Sequence, residues 1–367
     1  MREKLLIFPY SFEIIPLLNH YSLLDKFEII GGITFGHKDN YCSFNKGKID
    51  IQKMDKFKLL LECCDTVLIC DNLLSIDYNE FIFSKILEAI KHKKNIISVM
   101  DIDDKRNDII SELCKEYGVH YQSCINREQK SYLIFKENLY RIGTPVVFVM
   151  GMGERTCKFE IQLSIREEIK RLGYKVAQVG SRKYCELMGF HSFPNFMFDK
   201  SISEAEKIIS FNRFIKEIEI EESPDLIIIG IPGGTMKLNN EYTHNFGIIA
   251  YEVSQALTPD FVLVSSFYEN YKPEYFKKIS TALKYKFGYE IDCFNLSNVQ
   301  CHWPNAGEFT ELEYLTIDPS FIDKKLKNYK DLKIPLFNIF NSNDSKEIAT
   351  SIIDKLSYYG EYSLFTN

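Results

Sequence analysis

Two hydrophobic periods alternate along the first 140 residues. Short apolar runs at 5–8, 27–33, 65–70 and 95–99 end at polar or glycine positions, and their length and β-branched content predict buried strands. Between them, 14–24, 57–63, 81–93 and 109–117 space their apolar residues as one helical face, and a fifth strand is expected to begin at 119–121. Strand alternating with helix predicts βαβ units and a parallel sheet, because a parallel neighbour is reached only by a long crossover. The first strand leads into Pro9-Tyr10-Ser11-Phe12-Glu13 without a glycine, so backbone cannot approach a pyrophosphate closely and NAD or FAD is not expected there.

The second half repeats the alternation. The β-branched run 146–150 leads through Gly151, Met152, Gly153, Glu154, Arg155, Thr156 and Cys157 to Lys158, and a helical segment follows over 159–172, with Gly173 as its stop. Strands are expected at 175–179, 225–229 and 261–265, and helices at 203–222 and 247–255. Ser203 followed by Glu206 reads as a capping box. Residues 183–199 form an aromatic-rich loop, read as packing rather than a substrate lid, and helix and strand signals continue to Leu356. The charged stretch 125–145 reads as the join. The expected fold class is therefore α/β: a Rossmann-like parallel-sheet domain over 1–140, then a P-loop NTPase-like α/β domain over 141–367.

A chain of 367 residues with 45% hydrophobic content can fill two such cores. A net charge of -6 argues against sequence-independent nucleic-acid binding and gives no support for an anionic membrane surface. No apolar run is long enough to span a bilayer, and the short segment 5–9 is broken too soon for a signal peptide, so a cytoplasmic protein is expected. The ten cysteines include Cys42, Cys70 and Cys157 and show no C-x-x-C or zinc-ribbon spacing, so reduced structural thiols are expected. Cys157 is the exception, since Lys158 beside it would lower a thiol pKa.

Strand, glycine loop, lysine and helix is the order of a phosphate-binding loop. Its backbone N–H groups and helix N-terminus cradle anions, and its lysine reaches them. Measured against G-x-x-x-x-G-K-[ST], Lys158 keeps its place, Cys157 stands for the last glycine, and Phe159 replaces the hydroxyl that would ligate Mg²⁺, leaving Glu160 as the nearest oxygen. The strand at 225–229 ends at Gly230, where an acidic residue is often found. Gly233 and Gly234 lie past that strand, at the edge where α/β ligands bind, and read equally as an ordinary turn; Arg182 follows another strand and reads as an exposed loop arginine or as one that faces a phosphate. No histidine pair has metal-ligand spacing, including His302 beside Trp303 and Pro304; no catalytic residue can be chosen, and no protein metal site is expected.

The loop from Gly151 to Lys158 resembles that of a two-domain family of unassigned function, which joins a Rossmann-like domain to a P-loop domain of the dethiobiotin-synthetase type. That family's loop reads G-T-D-C-x-V-G-K-x-T-T; Cys157 and Glu160 depart from its glycine and threonine. Residues 65–70 and 95–101 resemble the family's apolar strands, and 225–234 resembles its D-L-V-V-V-E-G-Q-G strand without the glutamate. More narrowly, 9–13, 27–32 and 230–234 resemble a clostridial-type peptide maturation system protein, found beside radical-SAM maturases and cysteine-rich precursor peptides. The resemblance implies a nucleotide-binding accessory or modifying protein in ribosomal peptide natural-product maturation. It would use ATP or GTP with Mg²⁺, with a cysteine-rich precursor peptide and a radical-SAM maturase as partners. An acyltransferase acting on D-glutamate occurs in the wider family, so an acyl-CoA-dependent transferase on a small amino acid or peptide is the first alternative. A non-enzymatic adaptor for a precursor peptide or maturase is the second, and a homo-oligomer is compatible with all three.

Overall fold

The structure, a computed structural model, describes residues 2–35, 49–70, 76–124, 138–239, 242–302 and 312–364. Cys42, Trp303, Pro304 and most of the expected join, 125–137, lie outside these. The chain divides into two compact units.

In the first unit the strands are β1 (Glu3–Phe8), β2 (Phe27–Thr34), β3 (Ile51–Lys53), β4 (Thr66–Ile69), β5 (Asn95–Ser98) and β6 (Tyr121–Ser123). They form one sheet in the order β3-β2-β1-β4-β5-β6, with every pairing parallel. That order is the Rossmann one, and the Rossmann-like expectation holds. The helices are α1 (Ile15–Asn19), α2 (Phe57–Cys63), α3 (Ile76–Lys91) and α4 (Asp104–Tyr117). Leu6 and Phe8 pack with Phe57, Leu61, Ile82, Ile86 and Ile110 from α2, α3 and α4. Asp103 caps α4 by accepting from the Arg106 amide at 3.0 Å, and Gly118 closes it at φ +68°. One expectation needs correction, and one strand is unforeseen. The run 14–24 yields only five α-helical residues between 3₁₀ turns. Strand β3 carries just one buried apolar residue, Ile51, too little pattern to announce it.

The second unit contains β7 (Val146–Gly151), β8 (Val176–Gly180), β9 (His191–Ser192), β10 (Leu226–Gly230), β11 (Phe261–Ser266), β12 (Cys293–Leu296), β13 (Val299–His302), β14 (Glu313–Thr316) and β15 (Leu336–Phe337). Its helices are α5 (Lys158–Arg171), α6 (Glu204–Glu222), α7 (Ile248–Ala256), α8 (Pro273–Phe287), α9 (Pro319–Leu326) and α10 (Ser342–Leu364). The main sheet runs β15-β12-β11-β7-β10-β8-β9, parallel throughout, and β13 and β14 form a separate antiparallel ribbon. Strand β7 is central and buried on both faces, which is why its sequence is an unbroken apolar run. Val146, Phe148 and Met150 face α6, α7 and α8, while Val147 and Val149 face α5 and α10. The capping box at Ser203 and Glu206 is formed as expected.

The division differs from a single break at 140/141. Tyr140 donates its amide to Asn212 Oδ1 at 2.6 Å and accepts from Asn212 Nδ2 at 3.0 Å, tying the chain before β7 to α6. The described residues from 138 therefore belong with the second unit. Lys183–Gly189 belong with the first, where the Tyr184 hydroxyl donates to the Glu13 carbonyl at 2.8 Å. The aromatics of 183–199 pack inward, with Tyr184, Phe190, Phe193 and Phe196 all buried.

Candidate functional site

The loop between β7 and α5 alternates in hand. Arg155 and Cys157 are left-handed, at φ +59° and +58°, while Glu154 and Thr156 are not. Alternating right- and left-handed residues turn successive N–H groups toward one point and form an anion-binding concavity. Among the described residues, no backbone hydrogen bond is donated by Gly153, Glu154, Thr156 or Cys157. Helix α5 begins at Lys158, so these amides meet the positive end of its dipole.

The left-handed residues are not the glycines, which are needed for space. A Cβ on Gly151 would collide with Thr156 Oγ1 and come 2.9 Å from Lys158 Cδ; one on Gly153 would come 2.6 Å from the Phe267 ring and 2.8 Å from His244 Cε1. A Cβ on Gly234 would come 3.0 Å from His244 Nδ1 and from the Met152 carbonyl oxygen.

Lys158 is only 7% exposed. Its Nζ donates to the Gly153 and Gly233 carbonyls at 2.7 Å each, joining the loop to the turn after β10. The Thr156 hydroxyl also donates to Gly153 O, at 3.1 Å, and the Ser265 hydroxyl donates to Thr156 O at 2.6 Å. Asn295 Nδ2 supports Ser265 at 3.0 Å. The loop thus rests on polar side chains at the carboxyl ends of β11 and β12.

Cys157 contradicts the expectation of a thiolate. Cys157 is half-buried, and its sulfur donates to Asn298 Oδ1 at 3.0 Å. Desolvation of the charged form outweighs both this contact and the attraction of Lys158 and Arg182, so its pKa is pushed up to about 12. Among the described residues no cysteine is joined in a disulfide, and burial holds Cys64 and Cys114 near 11.

Other expected residues fall at different distances from this centre. Arg182 is close enough to act electrostatically on Cys157. Arg155 lays its guanidinium 4.7 Å over the Tyr314 ring. Glu154 is exposed, Glu160 is buried, and Phe159 is buried with its ring 6.2 Å from that of Phe190. Gly230 serves neighbouring Gln162, whose carboxamide fills the space a Cβ would need. Gln162 and Gln178 are fully buried, and no amide atom of either has a partner among the described residues.

His244 has no motif to announce it. It opens a left-handed run, His244, Asn245, Phe246 and Gly247, at φ +45°, +49°, +53° and +69°. Gly247 is required there, since any Cβ would strike the Thr235 carbonyl. Lys286 fastens the run by donating to the Thr235 and Phe246 carbonyls, at 2.8 and 2.7 Å. The imidazole lands on Gly153 and Gly234, and neither ring nitrogen has a well-formed hydrogen bond among the described residues. Burial and then Lys158 hold its pKa below the usual histidine range, against the pull of Glu154 and the Met152 carbonyl.

A bound Mg²⁺ would need oxygen ligands, and the first carboxylate after the loop is that of buried Glu160 in the first turn of α5. Phe159 offers none, Gly230 supplies no carboxylate, the Thr156 hydroxyl is spent on Gly153, and no described cluster of His, Cys, Asp or Glu could hold a metal ion. No described helix is long and apolar enough to cross a membrane.

No protein-family model matches the chain, and no curated protein matches it by sequence. The fold does have solved counterparts. A DUF1611 family protein from Anabaena variabilis aligns with 96% of this chain and 100% of its own, at TM-score 0.64 and 10% identity, which shows a shared two-unit α/β fold. Homoserine dehydrogenase from S. aureus aligns with 34% of this chain and 32% of its own at TM-score 0.28 and 13% identity, too low to read a shared fold.

Proposed function

We propose that the second unit is P-loop-like and binds the phosphates of a nucleotide or of a CoA thioester between Gly151 and Lys158. The observation that carries this reading is the alternating-hand backbone at 154–157, at the start of α5, where the amides of Gly153, Glu154, Thr156 and Cys157 donate to nothing among the described residues. Lys158 stands over the same loop and would exchange its carbonyl partners for phosphate oxygens. Gly233 and Gly234 border the second-substrate side, and Arg182 adds positive charge.

The side chains at 159 and 230 favour phosphate binding without Mg²⁺-dependent hydrolysis. That favours a donor held by its phosphates while reacting elsewhere, as in acyl transfer from CoA, over an ATPase or GTPase. A place in peptide maturation, with a cysteine-rich precursor and a radical-SAM maturase, rests on the sequence resemblance. Denaturing the purified protein and identifying the released small molecules by mass spectrometry tests the reading. Stoichiometric ATP, GTP or acyl-CoA supports it, and names the donor. If nothing is retained and none of the three binds on addition, it is wrong.

A further inference from the structure

The His244 imidazole lies on the two glycines, Gly153 and Gly234, that border the amide cradle, and Gly247 and Lys286 fasten the left-handed run that His244 opens. Three consecutive non-glycine residues with positive φ are costly and persist only where their surroundings dictate them. The run sets a ring, with both nitrogens lacking well-formed bonds, beside the concavity.

We infer that His244 is a proton-linked sensor of the bound anion: a phosphate-class anion in the 151–158 loop draws a proton onto the imidazole, which then donates to it. This positioning role rests on the phosphate-binding reading above.

The groups facing His244 are Glu154 and the Met152 carbonyl from the loop and Lys158 from α5; Lys286 from α8 lies behind it on Phe246, and Phe267 is its apolar neighbour. Burial and then Lys158 hold the ring's pKa below the usual histidine range. A dianion placed between Lys158 and the ring reverses that balance. By linkage, the anion then binds more tightly at low pH, and the factor by which it raises proton affinity equals the factor by which the proton raises anion affinity.

The test is an NMR titration of the histidine ring protons in sulfate and in chloride at matched ionic strength. Sulfate keeps a fixed charge across the histidine range, so any linkage belongs to the protein. His244→Asn, which assigns the His244 signal, is suited to the left-handed backbone. The expected result is a rise of about one pH unit in the His244 midpoint in sulfate, a tenfold coupling, that is lost in Lys158→Ala. If sulfate shifts the amide signals of 153–157 but leaves the His244 midpoint unchanged, the inference is overturned and phosphate binding stands. If neither responds, both are overturned.

Discussion

The Cys157 thiol donates to Asn298 Oδ1 at 3.0 Å, so the sulfur is engaged by a side chain of the protein rather than left as a bare nucleophile. Position 157 therefore contributes its left-handed backbone and amide rather than its nucleophilicity. Iodoacetamide mapped by mass spectrometry should label exposed Cys63 well before Cys157, with no protection of Cys157 by nucleotide. Rapid, nucleotide-sensitive labelling of Cys157 would show that the thiol faces the ligand. Because its folded pKa lies above the ordinary thiol value, this thiol contributes stability that is present below about pH 9 and is lost as pH rises toward 12.

Cys157→Gly follows from the same geometry. Glycine removes a left-handed side chain worth about 1 kcal/mol of strain and gives up one thiol hydrogen bond of similar size, so stability should change by less than about 1 kcal/mol and phosphate binding should persist. Cys157→Val, β-branched at φ +58°, should destabilise by more than 1 kcal/mol on the same scale. Urea melts of the pair decide; equal stability would argue against the left-handed assignment.

How far the sequence reveals this arrangement depends on whether each cue is local. The strand–loop–lysine–helix order, the capping box at Ser203 and the parallel sheets are visible because their signals lie within a few residues. Pairing of Lys158 with the Gly233 turn is visible only as two glycine-bearing loops after strands; the sheet order that makes β10 a neighbour of β7 brings them together. The inward turn of Cys157 depends on Asn298, far along the chain, and the place of His244 on a left-handed run with one glycine. Nothing nearby announces either. The same holds for Lys183–Gly189, whose inclusion in the first unit reflects tertiary packing.

The glycines of the loop make a graded series. Gly153→Ala places a methyl against Phe267 and His244, and Gly151→Ala one against Thr156 and Lys158; each should cost about 1–3 kcal/mol by overpacking and weaken phosphate binding. Gly143→Ala meets only Glu219 Oε1 at 3.6 Å and should be neutral in both respects. Thermal melts with binding isotherms check the order, and a fully tolerated Gly153→Ala would contradict the close packing described.

Glu252 on α7 is 1% exposed, and neither carboxylate oxygen has a hydrogen-bond partner among the described residues. Desolvation raises its pKa more than Lys207 lowers it. A carboxyl with a raised folded pKa stabilises the fold at low pH and loses that contribution as pH rises through the folded value. Glu252→Gln should therefore stabilise the protein at pH 7 by on the order of 1 kcal/mol, with the gain shrinking toward pH 4. Denaturant melts at the two pH values test this; a variant less stable at pH 7 would mean that Lys207 dominates.

Nucleotide affinity should depend little on Mg²⁺, because Phe159 and Gly230 provide no ligand for it. Equilibrium binding in Mg²⁺ and in EDTA should agree within about threefold, where a metal-bridged phosphate would lose several kcal/mol. Robust Mg²⁺-dependent turnover of ATP or GTP by the protein alone would contradict the site as described.

The most direct measurement is calorimetric titration of the wild-type protein and Lys158→Ala with ATP, GTP and acetyl-CoA, with thermal melts confirming that both are folded. One of the three should bind wild type at a single site, and Lys158→Ala should weaken it by on the order of 2 kcal/mol, about 30-fold. Equal affinity in the two folded proteins, or no binding of any of the three to wild type, would contradict a phosphate site at Gly151–Lys158.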